Sequence, residues 1–232
     1  MERGKGGGAL SGRAAAGRLK EALSRLERAW GRPQPGKTPP LDQLILTILS
    51  QNTNDALRDK AYGELRRRYP TWEAALAAGR RRVEAAIRTA GLAEGKSAAI
   101  IEVLKSLKRD RGRLSMSHLC KMSDDEAVAY LRGFKGVGEK TARVTLAFSC
   151  GKDLFPVDTH VHRVLARLGI TPESASPERA CKLASPMVPN GDAVPAHLNL
   201  IRFGREVCRA RKPLCPSCPL SDICPWPHKT TA

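Results

Sequence analysis

The residues best able to do chemistry lie near the C-terminus, where four of the seven cysteines fall as Cys208-x6-Cys215-x2-Cys218-x5-Cys224. Four thiols in so short a stretch can converge on one metal or cluster. Pro213, Pro216 and Pro219 rule out a helix there, so the loop takes its shape from what it ligates. Thiolates suit zinc or an iron–sulfur cluster, and spacing alone leaves zinc open. Cys120, Cys150 and Cys181 are scattered, and the count is odd. This is no secreted disulfide framework; a metal site in a reducing compartment fits better.

A second group is Phe134-Lys-Gly-Val-Gly-Glu-Lys-Thr-Ala142. Gly136 and Gly138 around Val137 permit a tight hairpin and bare backbone N–H groups at the next helix start, which suits a phosphate. Such contacts position a nucleic acid without reading it. Lys140 follows in the first turn, where the macrodipole disfavours positive charge. Val157-Asp-Thr-His160 is the third group. Asp158 reads first as a helix N-cap, a role compatible with catalysis.

Lys and Arg total 40 against 23 Asp and Glu, a net charge of +17. That excess predicts a polyanionic partner, nucleic acid first. No apolar run approaches the ~18 residues of a membrane span, and no helix combines a basic face with an aromatic-rich apolar one, so no membrane partner is expected. No secretory signal opens the sequence.

The elements that must position these residues read as helix, turn, helix throughout, an all-α chain without period-2 alternation. Residues 1–16 read as a disordered basic tail. A basic helix with Leu19, Leu23, Leu26 and Trp30 follows. Thr38 is expected to cap a helix whose apolar face is Leu41, Leu44, Ile45, Ile48 and Leu49. Further helices run from Asn54 to before Pro70, and over residues 71–78, 80–90 and 96–109. Ser123-Asp-Asp-Glu126 is a capping box. Others follow the hairpin, Asp158, Ser176-Pro177 and Pro195.

Taken together, the glycine hairpin, Lys140, Asp158 and the cysteine spacing resemble the endonuclease III family. These are helix–hairpin–helix DNA glycosylases with a [4Fe-4S] cluster. The resemblance covers about residues 18–225 and favours iron–sulfur over zinc. It implies a two-lobed fold: a six-helix barrel over 34–152, and a cluster domain of 17–33 plus 153–232. DNA would lie between the lobes with one nucleotide flipped out, because the sugar is unreachable inside the stack. Leu49-Ser-Gln51-Asn-Thr-Asn54 and Gly91-Leu92 look like the family's two inserting loops. Gln51 would fill the vacated space and Leu92 wedge the opposite strand. Gly136, Val137, Gly138 and His160 would bind DNA, and Cys208, Cys215, Cys218 and Cys224 the cluster.

The chemistry that the resemblance implies is nucleophilic. Lys140 would attack C1′ and form a Schiff base, with β-elimination nicking the strand; Asp158 would stabilise the cationic sugar. The partner is double-stranded DNA with damaged bases or abasic sites, oxidised pyrimidines being the family expectation. The protein is expected as a monomer, in cytoplasm or nucleoid if bacterial, with organellar or nuclear targeting left open. Relatives acting on mispaired adenine or thymine generally lack the lysine and use water. The adenine branch has a glutamate where this chain has Thr47. A monofunctional mismatch glycosylase and a non-catalytic DNA-binding relative are the alternatives. Three departures stand out. Lys135 replaces a proline. Glu139, beside Lys140, would favour the charged amine if the two approach. Ala93 sits where an aromatic is common.

Overall fold

Short polar caps, glycines and prolines punctuate this chain into helices, and the computed structural model describes residues 12–34 and 36–230. No strand occurs among the described residues. Contacts divide the chain into two compact units. One is Gly36–Lys152; the other combines the described residues before it with those from Asp153 on.

The Gly36–Lys152 unit holds α2 (Pro40–Leu49), α3 (Asp55–Arg68), α4 (Trp72–Ala78), α5 (Arg80–Ala86), α6 (Ala93–Arg111), α7 (Asp124–Arg132) and α8 (Glu139–Cys150). The expected apolar face of α2 is buried throughout, with Leu41, Leu44, Ile45, Ile48 and Leu49 at most 3% exposed. It packs against α8, where Ala142, Leu146 and Ala147 face inward. Each such leucine or isoleucine contributes about 1.5–3 kcal/mol of transfer free energy. This packing anchors both the loop after α2 and the helix carrying Lys140. Local caps agree with the sequence at Asn54, Thr71 and Ser123, each accepting from a backbone N–H three residues on. Thr38 does not cap α2; Pro39 holds that position with Pro40 first in the helix, one residue later than expected. The helix expected over 80–90 ends at Ala86, and a 3-10 turn, Arg88–Ala90, completes the span.

The other unit holds α1 (Gly12–Trp30), α9 (Thr159–Arg167), α10 (Pro177–Ala184) and α11 (Ala193–Glu206). Leu19, Ala22 and Leu26 are fully buried in one core with Val161, Val164, Leu165, Leu200 and Phe203. Arg18 donates to the Leu168 carbonyl at 2.9 Å, and Arg25 pairs with Asp222 at 2.6 Å, fastening α1 further. The expected tail over 1–16 is corrected at its end. Helix α1 already begins at Gly12, because Ala14–Ala16 are strong helix formers and Ala15 is buried. Residues 1–11 of that tail lie outside the described residues. Among the described residues, no helix is long and apolar enough to cross a membrane.

Cys120 and Cys150, read from sequence as scattered thiols, are bonded to each other. The bridge ties the end of α8 to the 3-10 segment Ser117–Lys121. Cys181, Cys208, Cys215, Cys218 and Cys224 form no disulfide among the described residues.

Candidate active site and cluster loop

The hairpin forms where the glycines place it. Gly136 sits at φ +85°, a region that favours glycine, and Val137 is buried and donates to the Phe134 carbonyl at 3.1 Å. Gly138 is the N-cap of α8 and offers no side chain to its first turn. Those N–H groups keep the positive end of the helix dipole. Lys140 is half-buried, the second residue of α8. Glu139 turns its carboxylate to Arg143 at 2.7 Å and Arg132 at 3.4 Å, so those guanidiniums compete with the neighbouring amine for its charge.

Two loops of the same unit carry the residues expected to enter DNA. Gln51 follows α2 and donates from Nε2 to the Gly136 carbonyl at 3.2 Å, touching the hairpin. Leu92, 65% exposed, stands at φ +48° immediately before α6. Leucine adopts left-handed backbone rarely and at a cost of about 1–2 kcal/mol. Asn52, beside Gln51, is left-handed too, at φ +51°. Thr47 is buried and donates to the Gln43 carbonyl at 2.7 Å, an internal helix bond.

Asp158 belongs to the other unit. Its Oδ1 accepts from the Val161 N–H at 2.8 Å, so it caps α9. His160 is half-buried; burial pushes its imidazole below the ordinary range, with Asp158 opposing and Arg163 adding. Arg163 lies 3.3 Å from His160 Nδ1 and donates to the carbonyls of Gly204 and Cys208 at 2.7 and 3.0 Å. Arg167, one turn on, reaches Cys208 Sγ at 3.4 Å and the Arg209 carbonyl at 2.7 Å, and stacks 4.0 Å over Trp226. Helix α9 therefore braces the cysteine loop.

Cys208, Cys215, Cys218 and Cys224 all line one pocket, with Arg167, Leu220 and Trp226. Among the described residues, no three Cys, His, Asp or Glu side chains are drawn close enough to hold a single metal ion. Four sulfur donors lining one pocket are a donor set that fits an iron–sulfur cluster. Burial pushes the Cys218 thiol up to about 11, and Leu220 N–H donates to its sulfur at 3.4 Å. Arg205, Arg209, Arg211 and Lys212 are exposed around the loop.

One buried cation near the two loops is invisible to motif reading. Lys96 is 3% exposed, and its Nζ donates to the carbonyls of Leu49 and Ala90, each at 2.8 Å. It resembles any lysine of a basic chain. Its signal is periodicity, since it shares an apolar face of α6 with Ile100, Leu104 and Leu107.

Residues 45–189 match the HhH-GPD superfamily of base excision DNA repair proteins, and residues 208–224 the iron–sulfur binding domain of endonuclease III. Endonuclease III of Escherichia coli is 33% identical over 216 residues, 90% of this chain and 95% of its own length. An Arabidopsis thaliana protein, described only provisionally as a DNA glycosylase, is 39% identical over 135 residues. That match spans 58% of this chain and 46% of the plant protein, less than half of its length. A solved endonuclease III, trapped as a covalent intermediate with DNA, superposes with a TM-score of 0.80 at 29% identity. It covers 93% of this chain and 96% of its own. The chain belongs to the endonuclease III family, as a base excision repair DNA glycosylase with a [4Fe-4S] cluster.

Proposed function

We propose that the protein removes oxidised or saturated pyrimidines from double-stranded DNA and then cleaves the abasic strand through Lys140. The observation that carries this reading is Lys140 itself, half-buried in the first turn of α8 directly behind the glycine hairpin. A lysine attacks only as the neutral amine, and a helix N-terminus disfavours its charged form. The solved endonuclease III, trapped as a covalent intermediate with DNA, supports the same chemistry by kinship.

The steps follow from the side chains. The Lys140 amine bonds to C1′ of an extruded nucleotide, the C1′–N bond breaks, and the base leaves with a proton. The nitrogen loses a proton and the sugar ring opens to a protonated imine. Loss of a 2′ proton then expels the 3′ phosphate. Asp158, held by its cap bond, stabilises the cationic sugar and assists proton transfer. Gly136, Val137 and Gly138 hold a phosphate, Gln51 and Leu92 occupy the opened duplex, and His160 supports the site or touches DNA. Cys208, Cys215, Cys218 and Cys224 would hold the cluster, which supplies a fixed shape to the loop bearing Arg209, Arg211 and Lys212. The protein acts as a monomer, in a compartment reducing enough for thiolate–iron bonds.

Borohydride trapping on a duplex with one oxidised pyrimidine tests this reading. A covalent adduct is expected from the wild type and none from Lys140→Ala. Clean base release without an adduct from the wild type would make water the nucleophile and Asp158 the main catalyst.

A further inference from the structure

Lys96 poses a physical problem. Its ammonium is buried, and among the described residues no carboxylate lies within ion-pair distance. It stands in the first turn of α6, so that helix's own dipole opposes the charge. Burial pushes its pKa down. A desolvated charge without a counter-ion is ordinarily selected against.

What faces the ammonium is the ends of two helical segments. Leu49 is the last residue of α2 and Ala90 the last of the 3-10 turn. Their carbonyls point where a helical segment ends, at the negative pole of its peptide dipoles, so two partial charges replace the missing carboxylate. Each carbonyl lies two residues before an expected inserting side chain: Leu49 before Gln51, Ala90 before Leu92. Three non-glycine residues have positive φ among the described residues; Asn52 and Leu92 are two of them, one in each loop. Strained backbone persists where its surroundings over-determine it.

We infer that Lys96 is a positioning residue, clamping the Gln51 and Leu92 loops to one buried point so that both present their side chains to the duplex together. Its amine never meets DNA. It acts by fixing two carbonyls, and through them two strained turns. An apolar residue at position 96 would fill the volume and leave both carbonyls buried without a donor. This inference rests on the reading of Gln51 and Leu92 as inserting residues.

The test separates opening of the duplex from chemistry on the sugar. Wild type, Lys96→Met and the cavity variant Leu104→Ala from the same helix are purified with the cluster in place. Each is assayed in single turnover on a duplex with one dihydrouracil, and on a single strand with one abasic site that needs no insertion. A fluorescent base analogue beside the lesion reports extrusion. Lys96→Met should lose about tenfold to a hundredfold in duplex excision, together with the extrusion signal, while single-strand cleavage stays within about threefold. Leu104→Ala, which only weakens the core, should change both activities in parallel. If Lys96→Met does not fold, Lys96→Gln, which keeps a polar amide but not the reach or charge, takes its place with the same expectation. A variant that keeps wild-type extrusion and excision, or loses both activities equally, overturns the clamp. A wild type without any extrusion signal overturns instead the reading of the two loops, and the clamp with it.

Discussion

The amide of Gln51 donates to the carbonyl of Gly136 across 3.2 Å, joining the loop that ends α2 to the hairpin that begins α8. The residue expected to fill a vacated base stack thus holds the turn expected to grip a phosphate. Gln51→Ala should cost no more than about 1 kcal/mol of stability, since the bond is exposed. Its larger effect should fall on duplex excision, with cleavage of single-stranded abasic sites nearly intact. Paired single-turnover assays and thermal unfolding check both halves. Equal loss on both substrates would make Gln51 a structural residue only.

Asp158 combines a cap with a proposed electrostatic role, and two substitutions separate them. Asparagine caps a helix about as well as aspartate, whereas alanine forfeits about 0.5–2 kcal/mol. Asp158→Asn should therefore unfold near the wild-type temperature yet excise about a hundredfold to a thousandfold more slowly. Asp158→Ala should lose both stability and activity. An active Asp158→Asn would reduce the residue to a cap.

His118 has both ring nitrogens buried without a hydrogen-bond partner, and its ring meets Tyr130 edge-on at 5.2 Å. Burial, with Arg111 and Arg113 adding, holds its imidazole below the ordinary range. The folded state thus binds a proton less readily than the unfolded one. The contribution is fully present above the unfolded value of about 6.5 and is lost as pH falls toward the depressed folded value. His118→Phe keeps the ring contact and cannot titrate. Its unfolding temperature should fall less than the wild type's between neutral and mildly acidic buffer, and parallel curves would count against this account.

The Cys120–Cys150 bridge joins residues 30 apart in sequence. Loop closure of that size stabilises by about 3–4 kcal/mol through the unfolded chain. Cys150→Ser should lose about that much in urea unfolding without a reductant. Wild type and variant should converge when dithiothreitol is present. Curves that differ equally under both conditions would mean that the pair is not bridged in solution.

Much of this was legible because it is local. Ser123 with Glu126, Gly136 with Gly138, and Asp158 at the start of α9 each act within one turn of chain, where residue type decides geometry. Thr38 misled for the same reason. A threonine before two prolines looks like a cap, but the helix begins one residue later. The bridge and the Lys96 bonds were illegible for the opposite reason. Cys120 meets Cys150, and Lys96 meets Leu49, only through the packing of separate helices. Nor does spacing tell a buried lysine from the many solvated ones; only its place on the apolar stripe of α6 sets it apart.

The unit built from segments on both sides of Gly36–Lys152 has a consequence for how the protein is made. Helix α1 emerges from the ribosome before its partners on α9 and α11, which are encoded more than a hundred residues later. At about 5–20 residues per second, Leu19 and Leu26 spend on the order of ten to thirty seconds without their core. Residues 36–152 are complete by then and can fold in the interval. Birth order thus hands the nascent chain a finished lysine-bearing half before the half that bears Asp158 and the cysteines can close. Until then the apolar stripe of α1, Leu19, Ala22 and Leu26, has no core to enter.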